Sequence, residues 1–504
     1  MRISGISIYP RRSEPLHTQI FDQVATRIRS GAFPAGHRLP PSRALALEIG
    51  AHRNTVVRAY EDLEAAGLVR STVGRGTFVE PAAPAAPAAG AAEGAGMPWA
   101  SLLSRVASAE PLGRLDRIGR TPAKGDAVNL SRMQPSEDLL PHELLRRCVD
   151  HVLRDQKGAA LGYAPPEGLP RLRAVIAEDL ARQGVPARAD DLLITTGSQQ
   201  ALDLVARALI NPGDAFLVDT TTYTGALNLL SAAGARLVPM PADAEGPDLE
   251  ALHRLSRSGA KGFYLMPSCH NPTGACVSTA RREALVAWAR DAGVPLIEDD
   301  YGADLGLEGQ PPPPPLRAFD GDVLYTGTFS KKLAPALRVG FLVCPPALRP
   351  AMVALKHAMD LGTSALLQHT LAEFLERGYM RAHLGKTLPE YRSRRDALLG
   401  SLREHLPASV HFHRPDRGVV LWLELPAGLD AERVYEEAKR EGVIVSPGTL
   451  NAVDARPQRG LRLTFCAERT ARVVEGGRRL GKAVRALIAG QRTGKTGAPA
   501  LEIV

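Results

Sequence analysis

Y-T-G-T-F-S-K-K-L-A-P-A-L-R-V-G, residues 325–340, sets Lys331 just after an apolar run of strand length and Arg338 seven residues further on. A lysine amine can form a Schiff base with an aldehyde. An arginine offers a planar fork of donors that fits a phosphate. An aldehyde that carries a phosphate points to pyridoxal 5′-phosphate (PLP). The stretch therefore predicts a strand that delivers a cofactor-binding turn, and the chain on either side can be read from it.

The surrounding pattern is α/β. Apolar runs recur at 191–195, 215–219, 235–240, 262–267, 294–299, 322–326 and 339–344, most of them separated by helical patterns such as S-Q-Q-A-L-D-L-V-A-R-A-L-I (198–210). Strands that are apolar throughout and alternate with helices imply a mainly parallel sheet covered on both faces. Longer helical stretches follow residue 345, with further strands at 418–425 and 460–466, which suits a smaller α+β subdomain over about 345–490. The predicted layout is a first domain at 1–80, a linker at 81–125, an α/β domain at 126–490 and a polar tail at 491–504. The linker reading rests on residues 81–98, where nine alanines, four prolines and three glycines leave little to bury and favour extended spacing.

With 504 residues and 44% hydrophobic content the chain can bury a full core in a large unit beside a small one. No apolar run reaches transmembrane length and the N-terminus lacks a signal-peptide core, so a cytoplasmic location is expected. The five cysteines (Cys148, Cys269, Cys276, Cys344, Cys466) show no paired spacing, so neither a disulfide framework nor a metal site is expected. Net charge is +8, and residues 1–80 hold eleven arginines and no lysine against seven acids, a local +4. Half of the net charge thus lies in about a sixth of the length, which suits a nucleic-acid partner.

That basic segment reads as a helix-turn-helix. Residues 15–31 form an amphipathic helix, 38–50 a short helix with Ser42 as N-cap and Gly50 at its end, and 52–67 a third. In this arrangement the start of the last helix faces the major groove, which puts His52, Arg53, Asn54 and Thr55 against bases. Arginine suits guanine and asparagine suits adenine. Residues 68–79 read as a β-hairpin wing whose tip, Gly74–Arg75–Gly76, brings Arg75 to phosphate or the minor groove. Arg38, Ser42, Arg43 and Arg58 complete the candidate DNA-binding set.

Over about 65 residues this order of elements, glycines and basic residues resembles the GntR-type winged helix. It departs from that family at His52, where a small hydroxyl residue is usual. From about 125 to 490 the chain resembles the fold-type I, aspartate aminotransferase-like enzymes. The resemblance is carried by T-T-G-S-Q-Q (195–200), Tyr223, H-N-P-T-G (270–274), I-E-D-D-Y-G (297–302), Lys331 and Arg338. It implies that the amides of Gly197, Ser198 and Gln199 bind the cofactor phosphate at a helix N-terminus, with Thr328 and Arg338 completing the cup. It implies that Tyr223 stacks on the pyridine ring, that Asn271 and Tyr301 reach the 3′-oxygen, and that Asp299 keeps the pyridine nitrogen protonated. Lys331 is the implied Schiff-base lysine, with Lys332 as an adjacent competitor, and Arg462 the implied clamp for a substrate carboxylate. Tyr163 matches the tyrosine that reaches the phosphate of a neighbouring subunit, which implies a homodimer.

A GntR-type winged helix fused to an aminotransferase-like domain resembles the MocR/GabR/PdxR regulators. The resemblance implies a domain-swapped dimer that binds an operator in double-stranded DNA and senses PLP, or an amine or amino acid reacting at the Lys331 Schiff base. The alternative is a working PLP-dependent aminotransferase with an accessory winged helix, since the residues for transamination are all present.

Overall fold

The structure, a computed structural model, describes residues 15–29, 33, 36–72, 76–80, 97, 99–104, 106–107, 125–255, 259–454 and 458–492. It divides into two compact units, Met1–Pro98 and Trp99–Val504.

In the first unit, helices α1 (Leu16–Arg29), α2 (Ser42–Ile49) and α3 (Arg53–Ala65) precede an antiparallel hairpin, β1 (Val69–Thr72) and β2 (Gly76–Val79), in register Val69↔Val79. Ile20, Val24, Leu45, Val56 and Leu63 interlock as its core. The turn between α2 and α3 needs a left-handed residue, and Gly50 supplies it at φ +69°. Ser42 is not the cap the sequence suggested. It is the first helical residue, Pro41 occupies the cap position with ψ 141°, and no side chain caps the helix. Two successive prolines hold the chain extended to residue 41, so the helix starts one residue later than a serine cap requires. Trp99–Leu102 forms a helical turn inside the stretch read as linker, and the tail from residue 493 lies outside the described residues.

The second unit is built on a seven-stranded sheet. Its strands are β4 (Leu192–Thr195), β5 (Ala215–Asp219), β6 (Arg236–Met240), β7 (Phe263–Leu265), β8 (Leu296–Asp300), β9 (Leu324–Thr328) and β10 (Gly340–Val343), in spatial order β4-β10-β9-β8-β7-β5-β6. All pairings are parallel except the two made by β10. Alternate residues enter different cores: Leu192 and Ile194 pack on one side, Leu193 on the other, and Phe341 and Val343 oppose Leu342 in the same way. Both faces of the inner strands are thus buried and most of them open as apolar runs, while the edge strand β6 is exposed at Arg236 and Pro239.

A smaller antiparallel sheet, β11 (His411–Phe412), β12 (Val420–Glu424), β14 (Ser446–Pro447) and β15 (Gly460–Thr464), runs in the order β11-β12-β15-β14. Its core also takes in Val128 and Leu130, because β3 (Val128–Asn129) pairs in parallel with β13 (Val443–Ile444). The start of the large domain therefore belongs to the smaller subdomain, which two-residue strands do not announce in sequence. No helix among the described residues is long and apolar enough to cross a membrane.

Candidate cofactor cleft and DNA-reading surface

The C-terminal ends of the parallel strands carry the cleft, as open α/β sheets require. After β4 the chain turns at Gly197 into helix α4 (Ser198–Leu209), leaving the amides of Ser198 and Gln199 at its open end. Gly197 has φ +78°, and a Cβ there would lie 2.8 Å from Arg338 Nη2. Only glycine lets the guanidinium approach this turn. Arg338 is itself left-handed (φ 48°), remains exposed and donates to Thr196 O at 3.3 Å. Thr328 Oγ1 is buried and accepts from Ser330 N at 3.2 Å, which shapes the loop between strand and lysine.

Tyr223 Oη donates to Gln199 Oε1 at 3.1 Å, and Gln199 Nε2 to Gly225 O at 3.0 Å. The tyrosine ring lies so close over Gly225 that a Cβ there would meet Cζ at 2.4 Å. At the end of β8, Asp299 Oδ2 accepts from Tyr264 Oη at 2.8 Å, while Asp299 Oδ1 is buried without a partner. Burial pushes this carboxyl up to about 7, against the opposing pull of Tyr264 and of Lys331. Tyr264 was missed in sequence, because a tyrosine beside Phe263 in a buried strand carries no signal until its hydroxyl is seen to find a partner.

Lys331 Nζ donates to Met133 O at 2.7 Å, and burial lowers its pKa, favouring the neutral, nucleophilic amine. Lys332, its neighbour, is committed elsewhere: Nζ pairs with Asp304 Oδ2 at 2.6 Å. Asn271 is buried, with Oδ1 accepting from Arg462 Nη1 at 3.0 Å and Nδ2 lying 3.4 Å from Met133 Sδ. Arg462, on β15, also donates from Nη2 to Ser131 O at 3.1 Å. Its Nε is buried and unpartnered, and burial lowers its pKa. Tyr301 Oη sits 3.1 Å from Cys269 Sγ, and burial pushes that thiol up to about 12, so it stays protonated.

One expected residue stands apart: Tyr163 is 87% exposed. Residues 131–133 were not foreseen as cleft residues, yet their backbone and the Met133 sulfur meet Lys331, Asn271 and Arg462.

The residues fit PLP. The free oxygen of Asp299 is an acceptor awaiting a cationic N–H such as a protonated pyridine offers. The Gly197 turn, the α4 amides and Arg338 form an anion cradle, and the Lys331 amine lies between them in sequence order and faces the same cleft residues.

On the small unit, His52 caps α3 with Nδ1 accepting from Asn54 N at 3.3 Å. The departure from a small hydroxyl residue thus keeps the cap. His52, Arg53, Asn54 and Arg58 are exposed and Thr55 half-buried along the opening of α3, and Arg43 and Arg38 are exposed on the preceding segment. Arg38 lies 6.0 Å above the Phe78 ring of the wing. Arg75 lies outside the described residues.

Comparison with known proteins matches residues 126–477 to the family described as aminotransferase class I and II. The chain belongs to that family. Residues 16–79 of this aminotransferase-family chain match the bacterial regulatory proteins of the gntR family. It is 32% identical over 457 residues, 90% of each chain, to the probable rhizopine catabolism regulatory protein MocR of Rhizobium meliloti. It is 36% identical over 361 residues, 70% of this chain and 89% of the other, to the 2-aminoadipate transaminase of Thermus thermophilus. Among solved structures, the α-aminoadipate aminotransferase LysN of Thermus thermophilus, complexed with N-(5′-phosphopyridoxyl)-L-leucine, superposes with TM-score 0.71 at 33% identity. That match covers 78% of this chain and all of the other.

Proposed function

We propose that the protein is a MocR-type transcriptional regulator that binds an operator in double-stranded DNA and senses PLP, or an amine or amino acid that reaches Lys331. The observation that carries this reading is the union in one chain of a gntR-family winged helix with a cleft whose buried groups still lack ionic partners. In this reading His52, Arg53, Asn54 and Thr55 read bases, Arg38, Arg43 and Arg58 hold phosphates, and Ser42 lies at the same face.

In the cleft, Gly197, Ser198, Gln199, Thr328 and Arg338 cradle the phosphate. Tyr223 would back the ring, Asn271 and Tyr301 would face the 3′-oxygen, and Asp299 Oδ1 would accept from the pyridine nitrogen. PLP, when bound, supplies an electrophilic carbon and an electron sink. Lys331 is the amine that would hold the cofactor's aldehyde end, and its Nζ would be the group that carries a proton there. Arg462 offers Nε and its two amino groups to a carboxylate, which gives an amino acid its orientation. Thr224 Oγ1 is committed to Leu450 O at 2.8 Å and Gly225 lies under Tyr223, so neither provides a second carboxylate clamp. The effector class is therefore PLP itself, an amine, or an amino acid without a required second acid group.

Exposed Leu161 and Tyr163 leave apolar surface that a second copy would cover, which supports a homodimer with Tyr163 completing the other copy's phosphate site. An operator reader works on the chromosome, which places it in the cytoplasm. Ser131 and Met133, which hold Arg462 and Lys331, follow closely on the stretch that leads from the winged helix. A ligand that takes over these two donors frees Ser131 O and Met133 O in the segment nearest that connection, while Thr464 Oγ1 still holds Arg132 O at 2.8 Å.

The test is binding of the full-length protein to its own upstream DNA, with and without PLP, beside the Lys331→Ala variant. Specific binding that responds to PLP in the wild type and not in the variant is expected. Absent specific binding, together with amine turnover at an enzyme-like rate of about 1 s⁻¹ or more, would leave an aminotransferase with an appended domain.

A further inference from the structure

Behind the phosphate cradle lies a polar network that none of the roles above uses. Lys356, on helix α5 (Arg349–Asp360), is fully buried, and its Nζ donates to both carboxylate oxygens of Asp360 at 2.9 Å and to Thr363 Oγ1 at 3.1 Å. Asp360 Oδ2 also accepts from Gln200 Nε2 at 2.8 Å and Thr196 Oγ1 at 3.2 Å, and Oδ1 from Gly362 N at 2.9 Å. Gln200 Oε1 in turn accepts from Thr196 N at 2.8 Å. Thr196 is thus gripped at its amide through Gln200 and at its hydroxyl by Asp360. Its carbonyl is the group that receives Arg338 Nη2.

A buried lysine paired with a carboxylate is costly to desolvate and is weak evidence for stability alone. Its arrangement suggests another use. Five donor contacts saturate Asp360, and two of them fix the two residues that flank Gly197–Gln199, the turn that exposes the α4 amides. The left-handed Leu361 (φ 58°) and Gly362 (φ +125°) that follow let the chain reverse directly against Ala164 O, where a Cβ on Gly362 would stand 2.8 Å away. The same carboxylate therefore ties the cradle to the segment that carries the exposed Tyr163.

We propose that Asp360, held by Lys356, is a positioning residue that sets the phosphate cradle through Thr196 and Gln200, and so determines discrimination between phosphorylated and unphosphorylated forms of the cofactor. The proposal rests on the reading of the cleft as a PLP site. It concerns no group that would touch PLP.

Equilibrium binding of PLP and of pyridoxal, followed by visible absorbance, tests it on the full-length wild type, Asp360→Asn and Gln200→Leu. Asp360→Asn leaves Lys356 without its counter-charge, so Gln200→Leu, which keeps the ion pair, carries the test if the first variant fails to fold. Both variants should weaken PLP binding by about tenfold or more, the worth of one charge-assisted hydrogen bond. Pyridoxal, which has no phosphate to place, should bind as to the wild type. Equal losses for both ligands would reduce the network to a structural support and overturn the proposal, as would unchanged PLP binding in both variants. A wild type that binds PLP no better than pyridoxal would instead overturn the reading of the cradle itself, and this inference with it.

Discussion

Replacing Asp299 with asparagine should remove a pH-dependent cost that the cofactor-free protein carries. Burial raises this carboxyl from its ordinary 3.8 to about 7. An acid whose folded value lies above its unfolded one holds its proton more tightly when folded, so stability falls as pH rises from 3.8 towards 7 and is flat above that. The gap corresponds to about 4 kcal/mol at 1.36 kcal/mol per unit. Asp299→Asn keeps the shape and cannot ionise. The variant's advantage should therefore be about 1 kcal/mol near pH 4.5 and rise to about 4 kcal/mol by pH 8. Urea unfolding of the large unit, at fixed protein concentration and without PLP, reads this, because the difference between the two proteins cancels the titrating groups that do not interact with Asp299 and leaves only it and its coupled neighbours such as Lys331 and Asp300. Added PLP should flatten the wild-type dependence, since a protonated pyridine pairs with the free oxygen. A difference that does not change with pH would refute the argument that Asp299 is an uncompensated buried acid waiting for a cation.

Three further outcomes follow from the same contacts. His52→Ala should destabilise the small unit by about 1 kcal/mol through loss of its cap while His52→Ser retains most of it, as thermal unfolding of the two variants would show. Gly197→Ala forces a side chain into a left-handed turn 2.8 Å from Arg338 and should weaken PLP binding at least about tenfold, measured by absorbance titration. Borohydride treatment of the PLP-loaded protein should fix cofactor to wild type and Lys332→Met but not to Lys331→Ala, by mass spectrometry, because Lys332 is bound to Asp304.

The sheet was legible because both faces of its inner strands are buried, and strands dry on both sides announce themselves as continuous apolar runs. Lys331, Asp299 and Gly197 were legible because each sits where a strand ends and the chain must turn, so their residue types stand out against the apolar runs. Tyr264 was not, since tyrosine is an ordinary strand residue and only its hydrogen bond to Asp299 gives it meaning. Met133 and Ser131 act through backbone oxygens, which any residue supplies, so no residue type could have marked them. Lys356 and Asp360 have the spacing of any helical i,i+4 pair; only the complete burial of Lys356 and the reach of Asp360 to Thr196 distinguish them.

The contacts of residues 131–133 also bound how strongly the cleft can signal. Lys331 and Arg462 each give one hydrogen bond to this segment, at 2.7 and 3.1 Å. Bonds from charged donors contribute roughly 1.5–3 kcal/mol apiece, and neutral ones about 1. A ligand that engages both residues must compete with both bonds, so the free energy at stake is about 2–4 kcal/mol. Effector coupling in proteins typically amounts to about 1–3 kcal/mol. Those two bonds are thus large enough to shift an equilibrium between held and freed forms of Ser131 O and Met133 O, with Arg132 O still held by Thr464 Oγ1, and small enough for a bound amino acid to overcome. A ligand that reaches Lys331 but leaves Arg462 alone would break only one of them. PLP by itself and PLP with an amino acid should therefore produce graded rather than identical responses.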